Sequence, residues 1–351
     1  MRLGDITAGI DDCALRGDAE TQITGIEYDS RQVTAGSLFV ALRGGYTDGH
    51  RYLPQARAAG ASAAVIEADA INADTRGFRS VVVTSDSRAL LARLATRFYG
   101  NPSCEMTVVG VTGTDGKTTT CHFIEAMCRH AGRSTGLIGT VAVRIGADTD
   151  LHESRQTTPE SSHIQRYFAE MLQQGVDLAV VEATSHGLEM HRLDGCEFDI
   201  GVVTNVTHEH LDFHGTIENY RRAKGGLLRR VAAARSLGKL GFAIVNADDE
   251  GARLLEPDAS GCEIIRYSTN PASSAPVLAV QIESHPAGSH FNLRIPDGTF
   301  AAKIHLSGAY NVANALAAAA AGVTLGLTGD TIVAGIGSLA AVPGRMEAVD
   351  E

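Results

Sequence analysis

The sequence is short of basic residues: 30 Lys and Arg stand against 41 Asp and Glu, a net charge of −11 over 351 residues. That deficit excludes partners held by bulk electrostatics, whether nucleic acid or anionic membrane. A local nest of backbone amides could still hold a phosphate in such a field. Paired cysteines are also missing. The six, at positions 13, 104, 121, 128, 196 and 262, include no CxxC pair, which implies reduced, mostly buried thiols in a cytoplasmic protein rather than a disulfide framework. No long apolar run occurs. The longest, about 315–327, is alanine-rich and broken by glycine, well short of the ~20 residues that span a bilayer. Residues 1–5 lack the apolar core of a signal peptide. Repeats and low-complexity tracts are absent too. With 44% hydrophobic and 20% charged residues, this is not a disordered tail, a collagen or a coiled coil. A chain of this length predicts two domains at roughly 150 residues each. It can bury on the order of three quarters of its unfolded surface, so neither metal nor disulfide is needed for folding.

A break falls near Asn101-Pro102-Ser103. Before it, strand-like runs at 37–42, 63–67 and 81–84 alternate with helix-like ones at 52–59 and 88–99. After it, apolar strands at 107–111, 177–183, 200–205 and 243–246 alternate with helical periodicity at 117–131, 161–174, 217–234 and 311–321. Near-continuous apolar strands between helices predict an α/β fold whose mostly parallel sheet is covered on both faces. Around 277–304 the pattern changes to short alternating strands, which predicts a β insertion at the sheet edge. The expected domains are 1–102 and 103–342, with 343–351 starting a hinge.

Two stretches carry chemistry. The run Val108-Val109-Gly110-Val111-Thr112 feeds Gly113-Thr114-Asp115-Gly116-Lys117-Thr118-Thr119-Thr120 and then a helix. A strand entering a glycine-rich turn at a helix N-terminus makes a nest of N–H groups for phosphate oxygens. Lys117 would neutralise the outer phosphates and the Thr118 hydroxyl would reach Mg²⁺, although the strict spacing asks for glycine where Val111 stands. Farther on, Glu182 ends the apolar run 178–181. A carboxylate so placed needs a cation, and in ATPases with such a loop it holds Mg²⁺; a solvated strand end is the bland alternative. Past the next strand comes Thr207-His208-Glu209-His210-Leu211-Asp212-Phe213-His214. His208, His210, Asp212 and His214 fall one residue short of the HxHxDH zinc pattern of metallo-β-lactamase-like hydrolases. That alternative leaves the glycine-rich loop unexplained.

Taken together, these segments resemble the Mur ligase family, ATP-dependent enzymes that join an amino acid to a carboxylate on a UDP-sugar peptide. The loop at 113–120 is similar to the family's phosphate loop, with Asp115 where asparagine is usual. The resemblance implies ATP contacts from Gly113, Thr114, Asp115, Gly116, Lys117, Thr118 and Thr119, and from Asn311, Asn314 and Arg345. It implies magnesium held by Thr118, Glu182, His210 and Lys224, the last as a carbamate formed with CO₂. Tyr28-Asp29-Ser30-Arg31 and the Gly45-Tyr46-Thr47 turn resemble the UDP-binding domain of the branch that adds the third residue. By that likeness Tyr28, Ser30, Gly45, Tyr46 and Thr47 contact the uridine diphosphate, and Thr157, Thr158, Thr184 and Arg192 contact the muramoyl peptide. Met190 stands where glutamine is common.

The family chemistry activates a carboxylate as an acyl phosphate, so Lys117, Glu182, His210 and Lys224 form the expected catalytic set. The implied partners are ATP, Mg²⁺, UDP-N-acetylmuramoyl dipeptide and an amino acid, with no nucleic acid, no membrane insertion and a monomeric chain. The family's third domain, which holds the incoming amino acid, has no counterpart before residue 351. The expectation is therefore a truncated chain, inactive without that domain, or else a non-catalytic UDP-sugar and ATP-binding module.

Overall fold

The computed structural model describes residues 1–342 apart from Tyr46, Ile71, Ala147 and 152–156. The chain divides into two units, one of Met1–Pro102 with Glu160–Arg166 and Met190–Gly195, the other of Ser103–Pro159, Tyr167–Glu189 and Cys196–Glu351. Two short segments from beyond residue 102 therefore cluster with the N-terminal unit, an arrangement that local periodicity does not encode.

The first unit is built on β1 (Ala14–Gly17), β2 (Gly25–Glu27), β3 (Ser37–Val40), β4 (Ala63–Glu67) and β5 (Ser80–Thr84), in the order β1-β5-β4-β3-β2. All neighbours are parallel except the β1–β5 pair. Both faces are covered, which is why the strands read as continuous apolar runs. Leu38, Val40 and Val65 point into one core with Leu90, Leu91 and Leu94. Phe39, Ala64 and Ile66 point into another with Leu53 and Ala56.

The second unit has β6 (Thr107–Thr112), β7 (Thr135–Ile138), β8 (Ala142–Ile145), β9 (Asp148–Leu151), β10 (Leu178–Glu182), β11 (Ile200–Val203), β12 (Phe242–Asn246), β13 (Glu263–Ser268), β14 (Val277–His285), β15 (Gly288–Ile295) and β16 (Gly298–Ile304). They form one sheet, ordered β16-β15-β14-β13-β12-β11-β6-β10-β7-β8-β9. The centre, from β7 to β14, is parallel. Antiparallel strands extend both ends: β14–β16 where the sequence predicted an edge insertion, and β7–β9, which it did not. One face packs Val109, Val111, Val180, Val202 and Ile244 against the helices Lys117–His130 and Ala309–Thr324. The other packs Val203, Ala243 and Val245 against Tyr220 and Leu228 of the helix Ile217–Arg235.

At the amino ends of the central strands, buried Asp199 accepts hydrogen bonds from Val108 N (2.8 Å) and Leu240 N (3.1 Å). It also pairs with Lys239 at 3.0 Å. This pins β6, β11 and β12 in register and leaves their opposite, carboxyl ends free for loops. Among the described residues no helix is long and apolar enough to cross a membrane.

Candidate active site

The carboxyl ends of β10, β6, β11 and β12 are adjacent, and ligands in open parallel sheets collect at such an edge. There a cavity of about 780 Å³ is lined by residues 114–119, with Thr157, Glu182, Thr184, His210, Asn246, Asn311 and Asn314 among the others. Six separated stretches of sequence thus meet in one place.

The glycine-rich loop leaves β6 and turns into the helix at Lys117. Gly116 sits at the helix N-cap with φ +82°, in the left-handed region, and a Cβ there would run into Asn314 Oδ1. Side chains with a Cβ resist that conformation, so glycine is required twice over. A second segment, 204–207, braces the loop. Asn205 accepts from Thr114 N (2.8 Å) through its carbonyl and from Asp115 N (2.9 Å) through Oδ1, while Thr204 Oγ1 donates to Asp115 O (2.6 Å). Lys117 Nζ donates to the Gly113 and Thr114 carbonyls at 2.9 and 2.7 Å. Burial pulls its pKa down, against the attraction of Glu182, Glu209 and Asp115.

Glu182 is 1% exposed at the end of β10. It accepts from Thr118 Oγ1 (3.0 Å), Thr140 N (2.9 Å) and Thr140 Oγ1 (3.0 Å). Desolvation pushes its pKa up, partly offset by the Thr140 and Thr118 hydrogen bonds and by Lys117. Thr140 is not in any motif singled out from the sequence; its one signal is its place just past the end of β7. Magnesium takes oxygen ligands and keeps several waters. A carboxylate and a hydroxyl, held together in a cavity and already strained by burial of negative charge, are the donors such an ion suits, so the residues present fit it.

Lys224 is buried as deeply as Glu182, 1% exposed. Its Nζ donates to Gly113 O at 2.5 Å and lies 4.5 Å from the centre of the Tyr220 ring. Burial, then repulsion from Lys117, hold its pKa well below the usual lysine range. Tyr220 bonds Thr114 Oγ1 at 3.1 Å. His210 adopts the left-handed conformation (φ +53°) before the turn Leu211–His214, and its ring meets that of His186 edge-on at 4.8 Å. The zinc alternative finds no support in this cluster. His208 and Asp212 are exposed, and among the described residues the three-ligand group close enough for a metal lies elsewhere, on the β14–β15 hairpin.

The expected sugar-peptide residues fall in both units. In the second, Thr158 Oγ1 donates to Glu182 O (2.8 Å) and lies 2.9 Å from Thr184 Oγ1, while Thr157 and Thr184 line the cavity. In the first, Arg192 pairs with Glu160 at 3.2 Å, which also holds Arg88 at 2.8 Å. The Tyr28 ring lies 5.1 Å from that of His163, tilted by 53°, and burial beside Glu160 and Asp29 pushes its hydroxyl up to about 12. Ser30 is buried, and Thr47 Oγ1 lies 3.3 Å from the Tyr52 hydroxyl in the loop that includes Gly45. Tyr46 and Arg345 lie outside the described residues.

Residues 111–322 match the model of the Mur ligase middle domain, and 22–99 that of the Mur ligase family catalytic domain. The chain belongs to the Mur ligase family. The UDP-N-acetylmuramoyl-L-alanyl-D-glutamate–2,6-diaminopimelate ligase of Geobacillus thermodenitrificans is 42% identical over 330 residues, 94% of this chain and 65% of that one. The UDP-N-acetylmuramyl-tripeptide synthetase of a Roseiflexus species is 41% identical over 357 residues, all of this chain and 69% of that one. The chain thus spans about two thirds of the length of these Mur ligases. A solved UDP-N-acetylmuramoyl-L-alanyl-D-glutamate–2,6-diaminopimelate ligase superposes with a TM-score of 0.81 at 28% identity, covering 100% of this chain and 69% of the other. The MurF ligase of Thermotoga maritima in complex with ADP shares the fold, with a TM-score of 0.65 at 22% identity over 94% of this chain and 69% of its own.

Proposed function

We propose that the chain carries the UDP-sugar and ATP sites of a cytoplasmic ligase that adds the third amino acid to UDP-N-acetylmuramoyl-L-alanyl-D-glutamate. The observation that carries this reading is the convergence of the amide nest, Lys117, Glu182 and the Asn311–Asn314 pair on one cavity. The 41–42% identity to ligases named for that substrate supports it.

Amide formation needs a leaving group on the carboxylate. A substrate carboxylate oxygen attacks the γ-phosphorus of ATP, and ADP departs with the electrons of the broken P–O bond. The amine nitrogen then attacks the acyl carbon, phosphate leaves, and the nitrogen gives up its proton. Both first-step reactants are anions, so positioning and charge neutralisation dominate. The loop amides and Lys117 bind the phosphates, and Asn311 and Asn314 flank the base. Glu182 and Thr118 would hold a magnesium ion, and His210 and Lys224 a second; when bound, these neutralise the phosphoryl oxygens. The neutral Lys224 amine adds CO₂ with loss of one proton, and the carbamate so formed supplies an anionic oxygen donor. By the family likeness Tyr28, Ser30, Gly45, Thr47 and Arg192 are the UDP-sugar residues of the first unit, and Thr157, Thr158 and Thr184 the substrate residues of the second. Calorimetric titration with UDP-N-acetylmuramoyl dipeptide tests the assignment. Heat beyond that of UDP alone is expected, and identical titrations refute the muramoyl substrate.

A further inference from the structure

The β14–β15 hairpin carries a feature with no part in this chemistry. Its two strands pair as Ala279↔Leu293 and Val280↔Asn292, then as Glu283↔His290, Ser284↔Ser289 and His285↔Gly288. The register slips by one residue between Val280 and Glu283, where Gln281 takes φ +54°. A bulge of this kind exchanges which side chains share a face. Had the first register continued, Ile282 would stand opposite His290, and Glu283 opposite Ser289, which is buried. The bulge instead places Glu283 across from His290 on the outer face. His285 joins them there, two residues along the strand, next to the two-residue turn Pro286-Ala287.

We propose that Glu283, His285 and His290 form a surface site for a borderline transition-metal dication such as Zn²⁺, which staples the hairpin near its turn. One ligand atom from each residue lies within 4.8 Å of the others, the His285 and His290 rings are 5.6 Å apart, and His285 Nε2 is 4.0 Å from Glu283 Oε2. Zinc bonds of about 2.0–2.1 Å in tetrahedral geometry put ligand atoms roughly 3.4 Å apart, so each pair must close by at most about 1.4 Å. The side chains of Glu283 and His285 are 71% and 56% exposed, so rotamer changes can supply that movement without disturbing a core. Two imidazoles and one carboxylate select zinc, nickel or copper over magnesium or calcium. The fourth position is open to water. Lys303, paired with His290 from β16 and exposed on the same face, sets the opposing charge.

The test is calorimetric titration of the full chain with Zn²⁺ alone, in a non-coordinating buffer, against the His285→Ala/His290→Ala double variant. Comparison by difference separates this site from the histidines near the cavity. The native chain is expected to take up one equivalent more than the double variant. Glu283→Gln is expected to weaken that equivalent by about tenfold or more, as loss of one of three ligands should, and Lys303→Gln to strengthen it. Equal uptake by the native chain and the double variant overturns the proposal.

Discussion

Gly116 and Gly132 bracket the helix Lys117–His130, and their backbones are nearly the same: φ is +82° at one and +83° at the other. They differ in what a Cβ would meet. At Gly132 nothing lies within 4 Å, whereas at Gly116 the new methyl group points onto Asn314 Oδ1. Replacing either by alanine costs about 1–2 kcal/mol for the left-handed conformation alone. Gly116→Ala must also displace Asn314, which is 6% exposed and donates to Asn311 Oδ1 at 3.3 Å. Losing that hydrogen bond adds about 1 kcal/mol. At about 2–4 °C per kcal/mol for a unit of this size, Gly132→Ala should lower the melting midpoint by about 5 °C and Gly116→Ala by about 8 °C. ATP binding should separate them further. Gly132→Ala should bind ATP like the native chain, and Gly116→Ala about tenfold more weakly, which corresponds to 1.4 kcal/mol. Scanning calorimetry and nucleotide titration measure both effects. Equal losses of stability together with equal ATP affinities would refute the argument that the Asn314 contact adds to φ in setting the requirement at 116.

Three other perturbations have definite signs. Asp199→Ala leaves the Val108 and Leu240 N–H groups without their acceptor and the Lys239 ammonium with only the Met106 carbonyl; a loss of about 3–5 kcal/mol, on the order of 10 °C in melting midpoint, is expected, and an unchanged midpoint contradicts the pinning role. Glu182→Gln removes a buried carboxylate whose pKa is raised by desolvation. The variant should melt no lower than the native chain yet lose the dependence of ATP binding on Mg²⁺, and retention of that dependence would put the ion elsewhere. Lys224 has a depressed pKa, so its reactive neutral form is present above that depressed value and is lost as pH falls through it. Carbamate formed from isotopically labelled bicarbonate should therefore appear at Lys224 well below the pH at which exposed lysines react, and nuclear magnetic resonance of the carbamate carbon reads it. The same shift means that the unfolded chain binds this proton more tightly, so the group's penalty on folding eases as pH rises toward the ordinary lysine range.

The parts legible in the sequence were those whose physics is local. A strand, a glycine turn and a helix follow one another at 107–130, and their order alone announces an anion site. The change from long apolar runs to alternation near 277 marks the passage from a parallel centre covered on both faces to antiparallel edge strands. What escaped notice depends on distance in the chain. Residues 160–166 and 190–195 look like any other part of the second half, and only packing assigns them to the first unit. The helix Gly329–Gly337 is concealed by its three glycines, which weaken any helical signal until tertiary contacts hold it. Lys224, beside Arg221 and Arg222, reads from charge alone as a solvated helix lysine, and only the family resemblance put it in the expected catalytic set. Yet it stands four residues from Tyr220 and three and four from Leu227 and Leu228, on the buried face of its helix.

The bracing of the phosphate loop by 204–207 also fixes how errors propagate through the site. Asn205 and Thr204 hold the loop, and the same stretch of chain runs on to His210. The anion nest and the histidine are therefore not separate modules that tolerate damage independently. A substitution at Thr204 moves both, and one at Asp115 is felt at the other end of the brace. In a double-mutant cycle, pairs drawn from the loop and from 204–210 should show coupling energies of about 0.5–3 kcal/mol, where equally spaced pairs drawn from the outer strands should simply add. Changes in this neighbourhood are tolerated as sets or not at all, which narrows the single-step routes by which such a site can drift.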